Sequence, residues 1–250
     1  MKEQLHTIPV NEGFEMEDEC PFCAMERDVE HRAIRYVVGP SATYMEPHVR
    51  AATGRVGFCA HHLKSLYDYG NQLGAAMILQ THMTSLLDEL KKKAEKPDIP
   101  EKKGLFRKKA PTQETPYWEI LAARKHSCYI CDDVEENMSR HYHTFFVLIK
   151  DEEFREKVEG CKGFCMRHFA RLLQEAENYL PDSQRHWFYT TAYKLMCENM
   201  ERVKGDLDWL IAKYDYRNAG APWGNSQDAL PRTMQKLQGI YPSAPPYKEK

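Results

Sequence analysis

The sequence predicts an all-α protein, on three observations. Apolar residues recur at helical spacing through most of the 250 residues, and no sustained period-2 run occurs anywhere. A third feature divides the chain: CPFC (20–23) leads to GFCAHH (57–62), and CYIC (128–131) leads to GFCMRH (163–168). Each copy reads as CxxC, helix, short helix, GFCxxH, long helix. The expected architecture is therefore two tandem metal-pinned helical repeats forming a helical bundle.

Taken in order, residues 1–15 read as an N-terminal extension. Residues 16–90 form the first metal-binding repeat. Its CPFCAMERDVEHRAIRYVV helix stops at Gly39-Pro40, and Leu63, Leu66, Leu73, Met77, Leu79, Met83, Leu86, Leu87 and Leu90 mark a long amphipathic helix weakened at Gly70 and Gly74. Residues 91–115 read as a Pro/Lys-rich linker, whose core at 91–111 holds nine Lys or Arg against three Asp or Glu. Residues 116–216 form the second repeat. There a helix opening at Phe169 stops near Leu180-Pro181, and Asp182 or Ser183 caps another carrying Phe188, Ala192, Leu195, Met196, Val203 and Leu207. The last stretch, 217–250, is turn-rich, with a short helix expected around Asp228–Leu237 and Trp223 packing back on the helices.

Composition excludes some functions. With 35 basic and 37 acidic side chains, a net charge of −2, the chain is neither a wholly basic nucleic-acid binder nor an acidic tail protein. No apolar core follows a basic start, and no run approaches the roughly 18 apolar residues of a membrane span, so a soluble cytoplasmic protein is expected. Eight cysteines in a reducing compartment point to metal or redox chemistry rather than disulfides.

Spacing decides for metal. Cys59 follows Cys23 by 36 residues and Cys165 follows Cys131 by 34, so each copy offers three thiolates and one imidazole, the donor set of a closed tetrahedral zinc site. The expected groups are Cys20, Cys23, Cys59 and His62 for one zinc, and Cys128, Cys131, Cys165 and His168 for the other. His62 is preferred over its neighbour His61 because the second copy has Arg167 at the equivalent place. Cys161 and Cys197 fall outside the pattern and read as small apolar residues. His141 and His143 read as surface residues, and His31, His48, His82, His126 and His186 receive no role.

Catalytic signatures are missing: there is no GxSxG, GxGxxG, GxxxxGK[ST] or HExxH. The one ExxH, Glu3 to His6, does not make a di-iron site, and neither CxxC is followed by the His of c-type haem attachment. A zinc with four protein ligands keeps no position open for water, which argues for structure before catalysis.

CPFC with GFCAHH, CYIC with GFCMRH and KYDYRNAGAPWGNSQDAL together resemble an uncharacterised bacterial family of clostridia and their relatives, known only as a domain of unknown function. The likeness covers roughly residues 15 to 240. It implies a cytoplasmic protein of anaerobic Firmicutes and implies no reaction. Three functions are compatible with the residues. The leading expectation is a non-catalytic zinc-binding scaffold for a protein partner. The alternatives are a redox or iron–sulfur protein using the cysteine clusters, and a nucleic-acid binder using residues 91–111 with Phe106 stacking.

Overall fold

The computed structural model describes residues 5–97, 99, 115–240 and 242. Among them there are helices and no strand. In chain order these are α1 (Ile8–Glu15), α2 (Pro21–Val38), α3 (Pro47–Val56), α4 (Ala60–Tyr69), α5 (Gln72–Glu95), α6 (Tyr117–Arg124), α7 (Tyr129–Leu148), α8 (Glu152–Gly160), α9 (Met166–Tyr179), α10 (Asp182–Ala212) and α11 (Ala229–Gln238). The all-α expectation holds. The long helix expected after GFCAHH is two, because Gly70 caps α4 with φ +90° and Asn71 then starts α5, its side chain accepting the Gly74 N–H at 3.0 Å. The expected linker begins later than its composition suggested, since α5 runs to Glu95; residues 98 and 100–114 lie outside the described residues.

The described residues fold into two compact units, one drawn from residues 5–29 with 136–240 and 242, and one drawn from within residues 30–135. The first is not a contiguous stretch. Segments 16–90 and 116–216 each contribute to both units, and the boundaries fall inside α2 and α7.

The first unit has an aromatic core. Phe22, placed between the two cysteines of CPFC, is fully buried and stacks on Tyr142 with ring centroids 4.7 Å apart. Phe14, Phe145 and Phe164 stand around it at 5.6 to 6.1 Å. The N-terminal segment is therefore no loose extension: α1 packs on α8, and Val10 and Phe14 are buried. At the other end α11 lies against α9 and α10. The turn-rich stretch before it wraps Lys213, whose Nζ donates to the carbonyls of Asn218, Ala219 and Ala221 at 2.6 to 3.1 Å. Trp223 packs over that ammonium at 5.0 Å and keeps its outer side exposed.

The second unit has an aliphatic core of Ala33, Ile34, Val37, Val38, Val49, Leu66, Ile78 and Ile130, with Cys128 inside it. Ile130 occupies in CYIC the place that Phe22 has in CPFC. Along it α3 packs on α5, where Gly54 leaves room for Thr81 and His82 donates from Nδ1 to the Gly54 carbonyl at 2.7 Å.

Because Phe22 is buried among other rings, Phe22→Ala should destabilise the protein by about 3–5 kcal/mol. Equilibrium denaturation of the protein measures this, and a cost below about 1 kcal/mol would contradict the packing described.

Candidate metal centres

The spacing of the ligands follows from helix geometry. Cys20 and Cys128 immediately precede α2 and α7, and their carbonyls accept the first helical N–H bonds, from Cys23 and Ala24 and from Asp132. Cys59 and Cys165 are the N-caps of α4 and α9. In every case the second residue of the pair, Cys23, Cys131, His62 or His168, stands three residues on, which brings it to the same side of the first turn. All four ligand pairs thus sit at helix N-termini, where unpaired N–H groups and the helix dipole favour thiolate. Cys165 Sγ accepts from the His168 N–H at 3.4 Å, and Cys128 Sγ from the Cys131 N–H at 3.5 Å.

The repeated glycine and phenylalanine of GFC have their own cause. Gly57 and Gly163 both adopt φ +76°, a backbone that side chains disfavour, and turn the chain from one helix into the next. A Cβ at Gly163 would lie 3.1 Å from the Leu195 carbonyl oxygen. The phenylalanine then goes inward: Phe164 is fully buried and Phe58 packs on the aliphatic core.

In the first unit Cys20, Cys23, Cys165 and His168 converge. The Cys23 and Cys165 sulfurs are 3.5 Å apart, and His168 Nδ1 lies 3.3 to 3.4 Å from all three sulfurs. Each of the four residues is at most 2 % exposed. The other ring nitrogen of His168 faces Glu26 at 3.5 Å, and Arg167 holds the same carboxylate with both terminal guanidinium nitrogens. Helix α11 closes this centre. Buried Lys236 donates to the carbonyl of Glu19 at 2.5 Å and to that of Lys162, which ties together the segments that lead into Cys20 and into Gly163. Gln235 reaches Asp18 at 2.5 Å, and Arg202 pairs with Glu19 at 2.5 Å.

In the second unit Cys59, His62, Cys128 and Cys131 converge. Cys59 and Cys131 sulfurs are 3.8 Å apart, and His62 Nδ1 is 3.2 to 3.3 Å from the three sulfurs. Here the two ligand segments are joined directly, Tyr129 N–H donating to the Gly57 carbonyl at 3.0 Å and Ser127 Oγ to the Val56 carbonyl at 2.9 Å. His62 Nε2 and His61 Nε2 both meet Glu30 Oε1 at 2.8 Å. His61 therefore stands to Glu30 as Arg167 stands to Glu26. This centre is less enclosed: Cys131 is exposed and Cys59 half-buried.

The donor atoms fit a tetrahedral ion. Ligand bonds of about 2.3 Å to sulfur and about 2.0–2.1 Å to nitrogen require S···S separations of about 3.8 Å and S···N of about 3.5 Å. The observed 3.5 to 3.8 Å and 3.2 to 3.4 Å are close to this. They are far beyond the roughly 2.05 Å of a disulfide, and all the cysteines are free. In the first centre hydrogen bonds from Cys20 and Cys23 draw Cys165 far below the thiol range, while burial holds Cys20 above it and the Cys165 hydrogen bond raises Cys23. In the second, burial opposes ionisation of Cys128, yet the His62 hydrogen bond brings it down to about 6. Burial also opposes the charge on His62, but Cys128 and Glu30 push it up to about 10.

The eight candidate residues thus come together in two groups that could hold metal ions, but the partners are exchanged. Each group joins the CxxC of one copy to the CxxH of the other, in place of the expected pairing of Cys20 and Cys23 with Cys59 and His62, and of Cys128 and Cys131 with Cys165 and His168. In each copy a long helix stands between the two motifs, α2 of 18 residues running about 27 Å from Cys20 and α7 of 20 running about 30 Å from Cys128, while α3 and α8 before the second motif have only 10 and 9 residues.

Cys161 belongs to neither group, accepting from the Gly163 N–H at 3.4 Å. Cys197 is exposed, against the expectation of a packed apolar residue, and His141 is buried where a surface place was expected, while His143 is exposed. Glu26, Glu30 and Lys236 were missed: nothing in their spacing separates them from solvated charges.

The exchanged sets make a specific prediction. Cys23→Ser and His168→Ala should each lower bound metal by the same one ion per chain, and the double variant should lose no more; a second ion lost in the double variant would contradict the grouping. Glu30→Gln should weaken the other centre about 10–100-fold, read by chelator competition.

No curated protein and no solved structure matches the chain. A match to the family of unknown function DUF6062 extends over residues 1–244. The chain belongs to that family.

Proposed function

We propose that the protein is a non-catalytic helical scaffold for a protein partner, stabilised by two structural zinc ions. Cys20, Cys23, Cys165 and His168 would hold one, and Cys59, His62, Cys128 and Cys131 the other. The observation that carries this reading is that each group supplies four protein donors at tetrahedral spacing, leaving no position for water or substrate. Three thiolates with one imidazole favour zinc over an iron–sulfur cluster, which most often takes four cysteines. The free thiols suit a reducing compartment, and we place the protein in the cytoplasm. Among the described residues no helix is long and apolar enough to cross a membrane.

Such ions would act as staples. The Cys23 and Cys165 segments are 142 residues apart in sequence, and those of Cys59 and Cys131 are 72 apart. Closing loops of this size in the unfolded chain costs about 4–5 kcal/mol each. Structural zinc contributes about 10–16 kcal/mol of apparent binding free energy, comparable with or above the whole stability of an ordinary domain, about 5–15 kcal/mol.

Removing the metal should therefore unfold helix rather than silence an activity. Far-UV circular dichroism during thermal melting, with and without a strong chelator, tests it. The chelated protein is expected to lose helical signal and to melt at least roughly 10 °C lower. An unchanged melt would contradict the structural role.

A further inference from the structure

We propose that the centre of Cys59, His62, Cys128 and Cys131 is a site of reversible oxidative modification, at which a peroxide joins Cys59 to Cys131 and releases the bound zinc, while the Cys20–Cys23–Cys165–His168 centre keeps its ion. The inference rests on the zinc reading above and adds a chemical difference between the two centres.

Distance does not separate the two, since the Cys23 and Cys165 sulfurs are 3.5 Å apart in the first centre and those of Cys59 and Cys131 3.8 Å in the second. Access separates them. Cys20 and Cys165 are 0 % exposed and Cys23 1 %, behind α11, where Gly239 closes over Cys23 and buried Lys236 bridges the two ligand-bearing segments. A peroxide has no approach to a sulfur there. In the second centre Cys131 is exposed and Cys59 half-exposed, and their sulfurs lie 3.8 Å apart, whereas Cys128 is buried. Both stand in the first turn of a helix or cap it, which favours the thiolate that attacks.

The chemistry closes without a further component. The Cys131 thiolate attacks one peroxide oxygen, the O–O bond breaks, and a sulfenic acid and hydroxide result. The Cys59 thiolate then attacks that sulfur, the S–S bond forms, and a second hydroxide leaves. Two electrons pass from the two sulfurs to the peroxide. Only Cys128 and His62 remain as ligands, too few to retain the ion. A dithiol reductant reverses the disulfide and restores the site. Cys197, also exposed, stands alone and contributes neither disulfide nor metal release.

The test uses the full-length, zinc-loaded protein treated with hydrogen peroxide, with released zinc followed by a chromogenic chelator and disulfides mapped by peptide mass spectrometry. The zinc content before oxidant tests the metal reading by itself: a freshly purified, reduced chain that binds no zinc overturns that reading and this one with it. With zinc bound, about half should leave early, together with a Cys59–Cys131 disulfide, and dithiothreitol with added zinc should restore it. Release of both ions at one rate, a disulfide within Cys20, Cys23 and Cys165, or no release at peroxide levels that already oxidise Cys197 would overturn the inference while leaving the metal reading intact.

Discussion

Everything in this structure hangs on helix N-termini that meet in pairs. α2 meets α9, and α7 meets α4, each pair presenting three sulfurs and one imidazole nitrogen to a common point. Helix N-termini favour thiolate over thiol, and in each group one sulfur, Cys165 or Cys128, is drawn below the usual thiol range. The ligand spacing, the left-handed glycine and the inward phenylalanine of GFC all follow from placing a helix start at that point.

Around this shared arrangement the two centres have been finished differently. The first is built into an aromatic core through Phe22 and covered by α11, with Lys236 joining the two segments that enter it. The second rests on an aliphatic core through Ile130, its segments join directly through Tyr129 and Ser127, and one sulfur faces solvent. The carboxylates that orient the histidines come from one helix, Glu26 and Glu30 of α2, but Arg167 holds the first and His61 the second. The chain thus repeats the donor set and varies its surroundings, which is where a difference in reactivity has to arise.

Much of this was legible in the residues. Helical periodicity and the lack of alternation identified the all-α class, and the ligand types and spacings picked out all eight clustering residues. Pairing was not legible from spacing alone, because near-equal intervals of 36 and 34 residues suggest modules that close on themselves. The lengths carried a cue: an 18-residue helix leaves the first CxxC and a 10-residue helix precedes the first CxxH, an asymmetry that the near-equal intervals conceal. The contribution of α1 was hidden because its buried residues, Val10, Gly13 and Phe14, are too few to display a period. Lys236, Glu26 and Glu30 look like ordinary surface charges until their partners, distant in sequence, are placed beside them.

The exchange of ligands between the two motifs is the central claim, and cadmium-113 substitution tests it most directly. In a heteronuclear correlation spectrum of the doubly substituted protein, one cadmium resonance should couple to the β-protons of Cys20, Cys23 and Cys165, and the other to those of Cys59, Cys128 and Cys131. A resonance that couples to Cys20, Cys23 and Cys59 together would contradict the account, since each motif would then close on its own ion.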